Sequence, residues 1–509
     1  MVAMPTATQT HTALDDNALY AALCARDARF DGLFFTAVKT TGVYCRPVCR
    51  VRQPLRRNCH FFALAAQAEA AGYRPCLRCR PELAPAVAPA WSHHDAAQTL
   101  ATQALPLLSA AAQSSSVRGQ GVGAVARQLG VSTRHLHRLM VKVWGVSPAQ
   151  YAMTCRLLAA KRWLTDTLLP VSQVAFLSGF GSARRLQCAF AGAYRLQPTA
   201  VRRLSRADSR IGSEGLVVHL AYRPPLDHTA LLAFFRQRAV VGLEWVVDAH
   251  GHTPAQLLRT LTVTQGTRTL DGWVAVQWVV ERDQVRLVLS EGLLPVLPQV
   301  VTKVRAWLDL DADPAAIDAG LKAAFPGTEG WRVPGTLDGF ELAVRAVLGQ
   351  QITVAAARTL VTRLVNALGK RIETPWPELT HVFPSAEAIA TCSAEVLGAV
   401  GIVRQRQRAL QALAQAVHTE ALSLEPGAPL QATLGALQTL PGIGDWTAQY
   451  IAMRALRWPD AFPSGDVALH NRLGVRAMPH PAQAALRAAE VWRPWRAYAV
   501  IRIWHGGSK

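Results

Sequence analysis

The chain has 509 residues, half of them hydrophobic, and a formal net charge of +20. That length holds three or four domains with real cores, and the charge favours a polyanionic partner, nucleic acid before membrane. No run of about eighteen uncharged apolar residues occurs, which argues against a membrane span, and the N-terminus lacks the basic-then-apolar order of a signal peptide, so the expected compartment is the cytoplasm.

Nine cysteines are unevenly spread, five of them between Cys45 and Cys79. In a reducing compartment such crowding reads as metal ligation before disulfide. Cys45-Arg-Pro-Val-Cys49 and Cys76-Leu-Arg-Cys79 form two close pairs separated by 26 residues. Four thiolates at that spacing suit one tetrahedral zinc ion, which would supply much of the stability of so small a domain. Cys59, next to His60, ranks lower as a ligand because it has no near cysteine partner. An ordinary structural zinc knot is the commonest use of four such cysteines. The surrounding strings, Phe34-Phe-Thr-Ala-Val-Lys-Thr-Thr-Gly-Val-Tyr-Cys-Arg-Pro-Val-Cys49 and Ala71-Gly-Tyr-Arg-Pro-Cys-Leu-Arg-Cys79, are very similar to the N-terminal domain of Ada. That resemblance implies that Cys45 takes a methyl group from an alkylated DNA phosphotriester, once per domain. Zinc would keep the sulfur a nucleophilic thiolate. Methylation would take the formal charge of the centre from about −2 to about −1, and weaker repulsion from phosphates would tighten DNA binding.

Residues 84–116 are rich in Ala, Pro, Ser and Gln and read as a linker whose Ala/Leu runs could hold a short helix, with a flexible tail at Ala110-Ala-Ala-Gln-Ser-Ser-Ser116. From Val117 to Leu204 there are 13 Lys/Arg against a single acid, Asp166. In Ala124-Val-Ala-Arg-Gln-Leu-Gly-Val-Ser-Thr-Arg-His-Leu-His-Arg-Leu139 a short apolar helix ends at Gly130, and Ser132 caps a basic one. This helix-turn-helix grammar returns at Val171–Phe190, with Gly179 as the turn and Ser182 as the cap, after an amphipathic helix from Pro148 to Leu168. Two such units about fifty residues apart, closed by Leu196-Gln-Pro-Thr-Ala-Val-Arg202, resemble the AraC-type DNA-binding domain. A four-helix structural module is the plainer alternative. Candidate base readers are Thr133, Arg134 and His137, then Arg184 and Arg185. Cys155 and Cys188 sit among apolar residues and are expected to be buried and inert.

A polar linker at 206–214 precedes strand-like runs at Leu216–Tyr222, Trp273–Val280 and Val285–Leu289, with Leu231–Phe235 helical between them. The expectation is a small antiparallel α+β subdomain over 215–330. From Phe340 onward the pattern is almost wholly helical. Leu440-Pro-Gly-Ile-Gly-Asp-Trp-Thr-Ala-Gln-Tyr450 makes a tight turn into a helix whose unpaired N–H groups can hold a phosphate, with Gly442 and Gly444 allowing close approach. Trp446 and Tyr450 lie on one helix face, with Met453 a turn further on, and Phe462-Pro-Ser-Gly465 delivers Asp466 beside them. The competing acid, Asp445, is placed as a first-turn dipole partner.

This stretch resembles the helix-hairpin-helix, Gly/Pro-Asp signature of DNA glycosylases, and from about Leu216 to the C-terminus the AlkA-type 3-methyladenine glycosylases. The resemblance implies a loop at Gly349-Gln350-Gln351 pushed into the duplex. Gln351 would be its wedge where the best-known relatives carry an apolar residue, and Phe234 a further pocket position. It also implies a monovalent cation at the hairpin, on carbonyls matching Gln438, Leu440 and Ile443. The chemistry follows from the residues. An alkylated purine such as 3-methyladenine is a cationic base that leaves without a general acid. One carboxylate, Asp466, can then stabilise the sugar cation and position water. Trp446, Tyr450 and Trp504 supply electron-rich rings for the cation, and the base must be flipped from the stack to reach them. The resemblance adds that bifunctional relatives carry a lysine where Trp446 stands and use it as an imine nucleophile; with no lysine there, the expected hydrolysis is monofunctional. No cysteine follows Cys392, so no iron–sulfur cluster is expected.

The fold expected overall is multidomain and mainly α with α+β parts: a zinc domain at 10–83, an AraC-type domain at 117–205, the α+β subdomain, and a helix-hairpin-helix core at 331–509. The function expected is repair of alkylated DNA together with its regulation, by a monomer on double-stranded DNA that also meets RNA polymerase. The other reading is a methyl-sensing regulator whose glycosylase body is only a DNA-binding platform.

Overall fold

The computed structural model describes residues 16–26, 30–84, 96–113, 121–167, 169–204, 215–251, 254–265 and 268–506. The chain divides into two compact units, Met1–Arg210 and Ile211–Lys509. The linker expected at 206–214, the Ser114–Ser116 tail and Leu168 lie outside the described residues.

The first unit opens with α1 (Asp16–Ala25) and a four-stranded sheet of β1 (Phe35–Val38), β2 (Val43–Cys45), β3 (Cys59–Phe62) and β4 (Arg74–Pro75), in the order β3-β1-β2-β4. A short helix, α2 (Ala65–Ala70), connects β3 to β4. β1 runs antiparallel to β2 and β3, whereas β4 pairs parallel to β2, Tyr44 opposite Pro75. That parallel register decides where the metal ligands go, because Cys45 and Cys76 each follow a member of the matched pair and so emerge side by side.

Next come α3 (Ala96–Gln113), α4 (Val122–Gln128), α5 (Thr133–Trp144), α6 (Pro148–Asp166), α7 (Val171–Leu177), α8 (Ala183–Tyr194) and α9 (Pro198–Leu204). Both expected turns are present, Gly130 with φ +68° and Gly179 with φ +74°. Both expected caps form: Ser132 accepts from His135 N at 3.1 Å and Ser182 from Arg185 N at 3.3 Å. Residues 96–113, expected within a linker, instead form a packed helix. Its Ala101, Ala104, Leu105 and Leu108 recur at helical spacing and share a core with Leu136, Met140 and Trp144, and with Leu64 and Ala66 at the start of α2. The zinc module and the first helix-turn-helix unit thus have one hydrophobic core between them. Cys188 corrects another expectation, being exposed. On α8 the buried side is Leu186, Phe190 and Tyr194, four residues apart, so Cys188 falls on the outer face. Cys155 is half-buried, and burial pushes its thiol up to about 11.

The second unit begins with β5 (Leu216–Ala221), α10 (His228–Arg238), β6 (Glu244–Val247), β7 (Gln256–Gln265), β8 (Arg268–Val279) and β9 (Gln284–Leu289). The strands form one antiparallel sheet in the order β5-β9-β8-β7-β6. β7 escaped the alternation reading because Leu257, Leu258, Arg259 and Thr260 are all buried, a charged side chain among them, and β6 is only four residues long with the charged Glu244 on its buried side. The helical body follows as α11 (Leu297–Trp307), α12 (Pro314–Leu321), α13 (Gly339–Leu348), α14 (Val354–Leu368), α15 (Ala386–Thr391), α16 (Ala394–Ala399), α17 (Arg404–His418), α18 (Leu430–Thr439), α19 (Asp445–Arg454), α20 (Val467–Arg472), α21 (Pro481–Ala488) and α22 (Arg496–Gly506). None of the described helices is long and apolar enough to cross a membrane.

Gly179 joins a left-handed turn to a close contact, since a Cβ there would lie 2.2 Å from the carbonyl oxygen of Ala112 on α3. Gly179→Ala is therefore expected to destabilise the first unit by at least about 2 kcal/mol, read as a lowered urea midpoint. A change under about 0.5 kcal/mol would contradict the packing of α3.

Candidate active site and metal centre

In the second unit, Leu440–Gly444 links α18 to α19. Gly442 adopts φ +75°, a conformation that disfavours a side chain, while Gly444 faces open space. The helix begun there presents Trp446 and Tyr450 with their rings stacked at 5.3 Å and 12°, and Trp504 on α22 closes on Tyr450 at 6.1 Å and 40°. Asp466 caps α20 and is partly exposed. Its Oδ2 accepts from Trp446 Nε1 at 3.0 Å; its Oδ1 accepts from Leu469 N at 3.0 Å and Trp504 Nε1 at 3.3 Å. The acid and the three rings predicted from sequence therefore converge on one cavity of about 410 Å³.

Phe234 lines this cavity but is 1% exposed, and Arg238 and Arg454 sit over its ring at 3.9 and 4.8 Å. It is a support for two guanidinium groups more than an open stacking wall. Sequence reasoning missed both arginines and extended the aromatic face to Met453, which is buried elsewhere in the core. Helical spacing held the signal, since Arg454 is four residues after Tyr450 and Arg238 four after Phe234. Arg454 Nε donates to Pro334 O at 2.8 Å, and Nη1 donates to the Tyr450 hydroxyl. Burial would push that phenol up, but Arg454 and Arg238 outweigh it and hold it below its ordinary value. Burial in turn pulls Arg238 down to about 10, Tyr450 opposing and Arg454 adding to the effect. Beneath them Arg259 and Arg345 pair with both Glu244 and Glu341, a buried ionic square that ties β6 and β7 to α13. Each charge there has two partners, the condition under which buried ions are tolerated.

The loop between α13 and α14 separates its two glutamines. Gln350 turns inward, its Nε2 donating to Gly442 O at 2.9 Å and Thr447 Oγ1 at 3.0 Å, and Arg406 grips its carbonyl. Gln351 is exposed with φ +56°. Gln350 is thus a brace for the hairpin, and Gln351 is the residue presented outward.

In the first unit the Sγ atoms of Cys45, Cys49, Cys76 and Cys79 all lie within 4.8 Å of one another. Tetrahedral Zn–S bonds of about 2.3 Å place sulfurs roughly 3.8 Å apart, so the four fit one ion. Backbone N–H groups support them as anions: Arg46 N donates to Cys79 Sγ at 3.3 Å and Arg78 N to Cys76 Sγ at 3.4 Å. The Arg46 guanidinium, almost buried, donates to Cys79 O at 3.2 Å and is paired with Asp31. Cys45 is 6% exposed, and Cys79 is the most open of the four. Cys59 stays outside the cluster and donates to Leu55 O at 3.4 Å. On α5, Thr133, Arg134 and His137 are exposed, as are Arg184 and Arg185 on α8.

These sites match known families in the same order along the chain. Residues 18–82 match the metal binding domain of Ada, 125–204 a helix-turn-helix domain, 217–338 the AlkA N-terminal domain, and 344–496 the HhH-GPD superfamily of base excision DNA repair proteins. The chain is therefore a composite of a metal-binding DNA-damage module, a DNA reader and a base-excision glycosylase fold. It is 38% identical over 95% of its length, and 95% of the relative's, to a probable bifunctional transcriptional activator/DNA repair enzyme AlkA of Mycobacterium tuberculosis. The DNA-3-methyladenine glycosylase 2 of Escherichia coli is 33% identical over 56% of this chain and 96% of its own. The bifunctional transcriptional activator/DNA repair enzyme Ada of the same organism is 38% identical over 28% of this chain and 37% of its own. The chain belongs to the family of bifunctional transcriptional activator/DNA repair proteins of the AlkA type.

The two glutamines are expected to differ on mutation. Gln350→Ala leaves the 2% exposed Thr447 without its side-chain partner and should cost about 1–2 kcal/mol of stability. Gln351→Gly, which relieves a left-handed residue, should stay within about 1 kcal/mol of wild type. Thermal unfolding of both variants checks this.

Proposed function

We propose that the second unit hydrolyses the N-glycosidic bond of alkylated purines of the 3-methyladenine type, with Asp466 as the catalytic carboxylate. The single observation that carries this reading is the convergence of Asp466, Trp446, Tyr450 and Trp504 on one cavity. Gly442 and Gly444 hold the distorted backbone of the flipped nucleotide, and Gln351 fills the gap in the stack. The hairpin carbonyls of Gln438, Leu440 and Ile443 are the place for a monovalent cation. The cationic base lies against the aromatic rings, and Asp466 faces the deoxyribose. As the bond to C1′ breaks, its electron pair leaves with the base and neutralises it. Asp466 stabilises the sugar cation and directs water to it. No general acid is required, and no strand cleavage follows. Trp446 and Trp504 each donate an N–H to the carboxylate and so fix its direction.

The first unit adds regulation to repair. When bound, a zinc ion keeps four sulfurs as thiolates at neutral pH. Cys45 attacks the methyl carbon of a DNA phosphotriester; the S–C bond forms, the C–O bond breaks, and the phosphodiester leaves with the electron pair. The centre becomes less negative, and the exposed Thr133, Arg134, His137, Arg184 and Arg185 then hold promoter DNA more tightly, where RNA polymerase is the further partner.

Asp466→Asn is expected to lower release of free 3-methyladenine from methylated DNA by at least about 100-fold while leaving duplex affinity within a few-fold. Equal rates would sink the assignment and leave the glycosylase body a DNA-binding platform. For the first unit, peptide mapping by mass spectrometry after incubation with alkylated duplex should find one methyl group on Cys45. A methyl group on the more open Cys79, or none, would refute the acceptor role.

A further inference from the structure

The zinc module and the second helix-turn-helix unit meet at one partly buried carboxylate. Glu69 stands on α2, and its side chain receives three hydroxyl groups: Tyr44 at 3.0 Å, Tyr194 at 2.9 Å and Thr154 at 2.6 Å. Tyr44 directly precedes Cys45 on β2 and is fully buried; Tyr194 is the last residue of α8 and is 1% exposed; Thr154 belongs to α6. One acid therefore bonds the strand that carries the proposed methyl acceptor and the helix that carries Arg184 and Arg185.

Other bonds join the zinc module to the helices that follow it. Gln67, also on α2, bonds Leu64 N with its oxygen and donates from Nε2 to the carbonyl of Trp144, which ends α5. Arg80, next to Cys79, pairs with Asp166 at the end of α6, and Glu82 pairs with Lys161, both side chains almost wholly buried. Two modules on a flexible tether have no need to exchange buried charges, because each such pair is costly to form and more costly to break. Ionic and hydroxyl bonds laid over a shared core are how a junction is held to one geometry.

We propose that Glu69 is a positioning residue that ties the methyl-accepting strand to the second DNA-reading helix, so that the zinc module and both helix-turn-helix units grip DNA as one body. Two reading helices and a charge-changing centre in one rigid frame contribute together to a single binding event, as linked sites do at high effective concentration. Without the tie, the charge change at Cys45 still occurs, but the geometry that converts it into affinity for a given duplex is lost. This rests on the methyl-accepting reading of the first unit.

The test uses the full chain with zinc. Glu69→Leu is compared with wild type for methyl groups gained on Cys45, for duplex affinity before and after methylation, and for amide hydrogen exchange along β2 and α8. The expected result is equal methyl transfer, a rise in affinity on methylation cut at least about tenfold, and faster exchange in both elements. Glu69→Gln, which can still accept from both tyrosines and donate to Thr154, should keep the wild-type rise. If Glu69→Leu does not fold, Tyr44→Phe with Tyr194→Phe keeps the shape and removes the two bonds, with the same loss expected. A rise in affinity within twofold of wild type, with exchange unaltered in α8, overturns the proposal. If wild-type protein takes no methyl group or gains no affinity, the reading of the first unit fails instead. The exchange comparison alone then judges the tie.

Discussion

Two indoles distant in sequence and the helix that the acid itself caps meet at one carboxylate. Trp446 from α19, Trp504 from α22 and the first turn of α20 all donate to Asp466. The hydrogen bonds hold the acid against the cavity wall and turn the N–H edges of two indoles towards it, while one face of Trp446 is stacked on Tyr450. The hairpin is locked to the same frame from the other side, through Gln350 to Gly442 and Thr447. Hydrogen bonds to an ionised group are stronger than neutral ones, and here they fix the direction of the carboxylate proposed as catalytic, as proximity would demand of it.

The charges along α19 run in a direction that suits the proposed reaction. Near its start Trp446 touches the acid, and two turns later Arg454 stands with Arg238 over Phe234. Cleavage of an alkylpurine moves positive charge from the base towards the sugar. A carboxylate at one part of the cavity and guanidinium groups at another favour that movement in the transition state, which is where stabilisation counts. Arg454 is held there by neutral partners, the carbonyls of Pro334 and Gly335 and the hydroxyl of Tyr450, while Arg259 and Arg345 are balanced separately by Glu244 and Glu341.

The first unit is less modular than its sequence implies. A chain of about eighty residues with a metal site could stand alone, yet Leu64 and Ala66 contribute to the core built by α3, α4 and α5, and Glu69 and Glu82 reach α6 and α8. Removal of the metal should therefore be felt beyond the four cysteines, through bonds that begin within a few residues of them.

Much of the site was legible from local pattern. The cysteine spacing, the Pro-Gly-Ile-Gly turn, the four-residue step from Trp446 to Tyr450 and the Ser132 and Ser182 caps each depend on contacts within a few residues, and each stands where the sequence places it. What the sequence by itself determined was therefore the kinds of module, their order and the side chains of the aromatic cleft. Only the tertiary structure decided that residues 96–113 pack as a helix, that Gln350 turns inward while Gln351 faces out, and that Phe234 carries two arginines. It also decided that β7 buries Arg259 and that one glutamate joins β2 to α8. The physical reason is common to all of these: a polar or charged side chain goes inside only where distant parts of the chain supply its partners, and no local periodicity records which distant residue that will be.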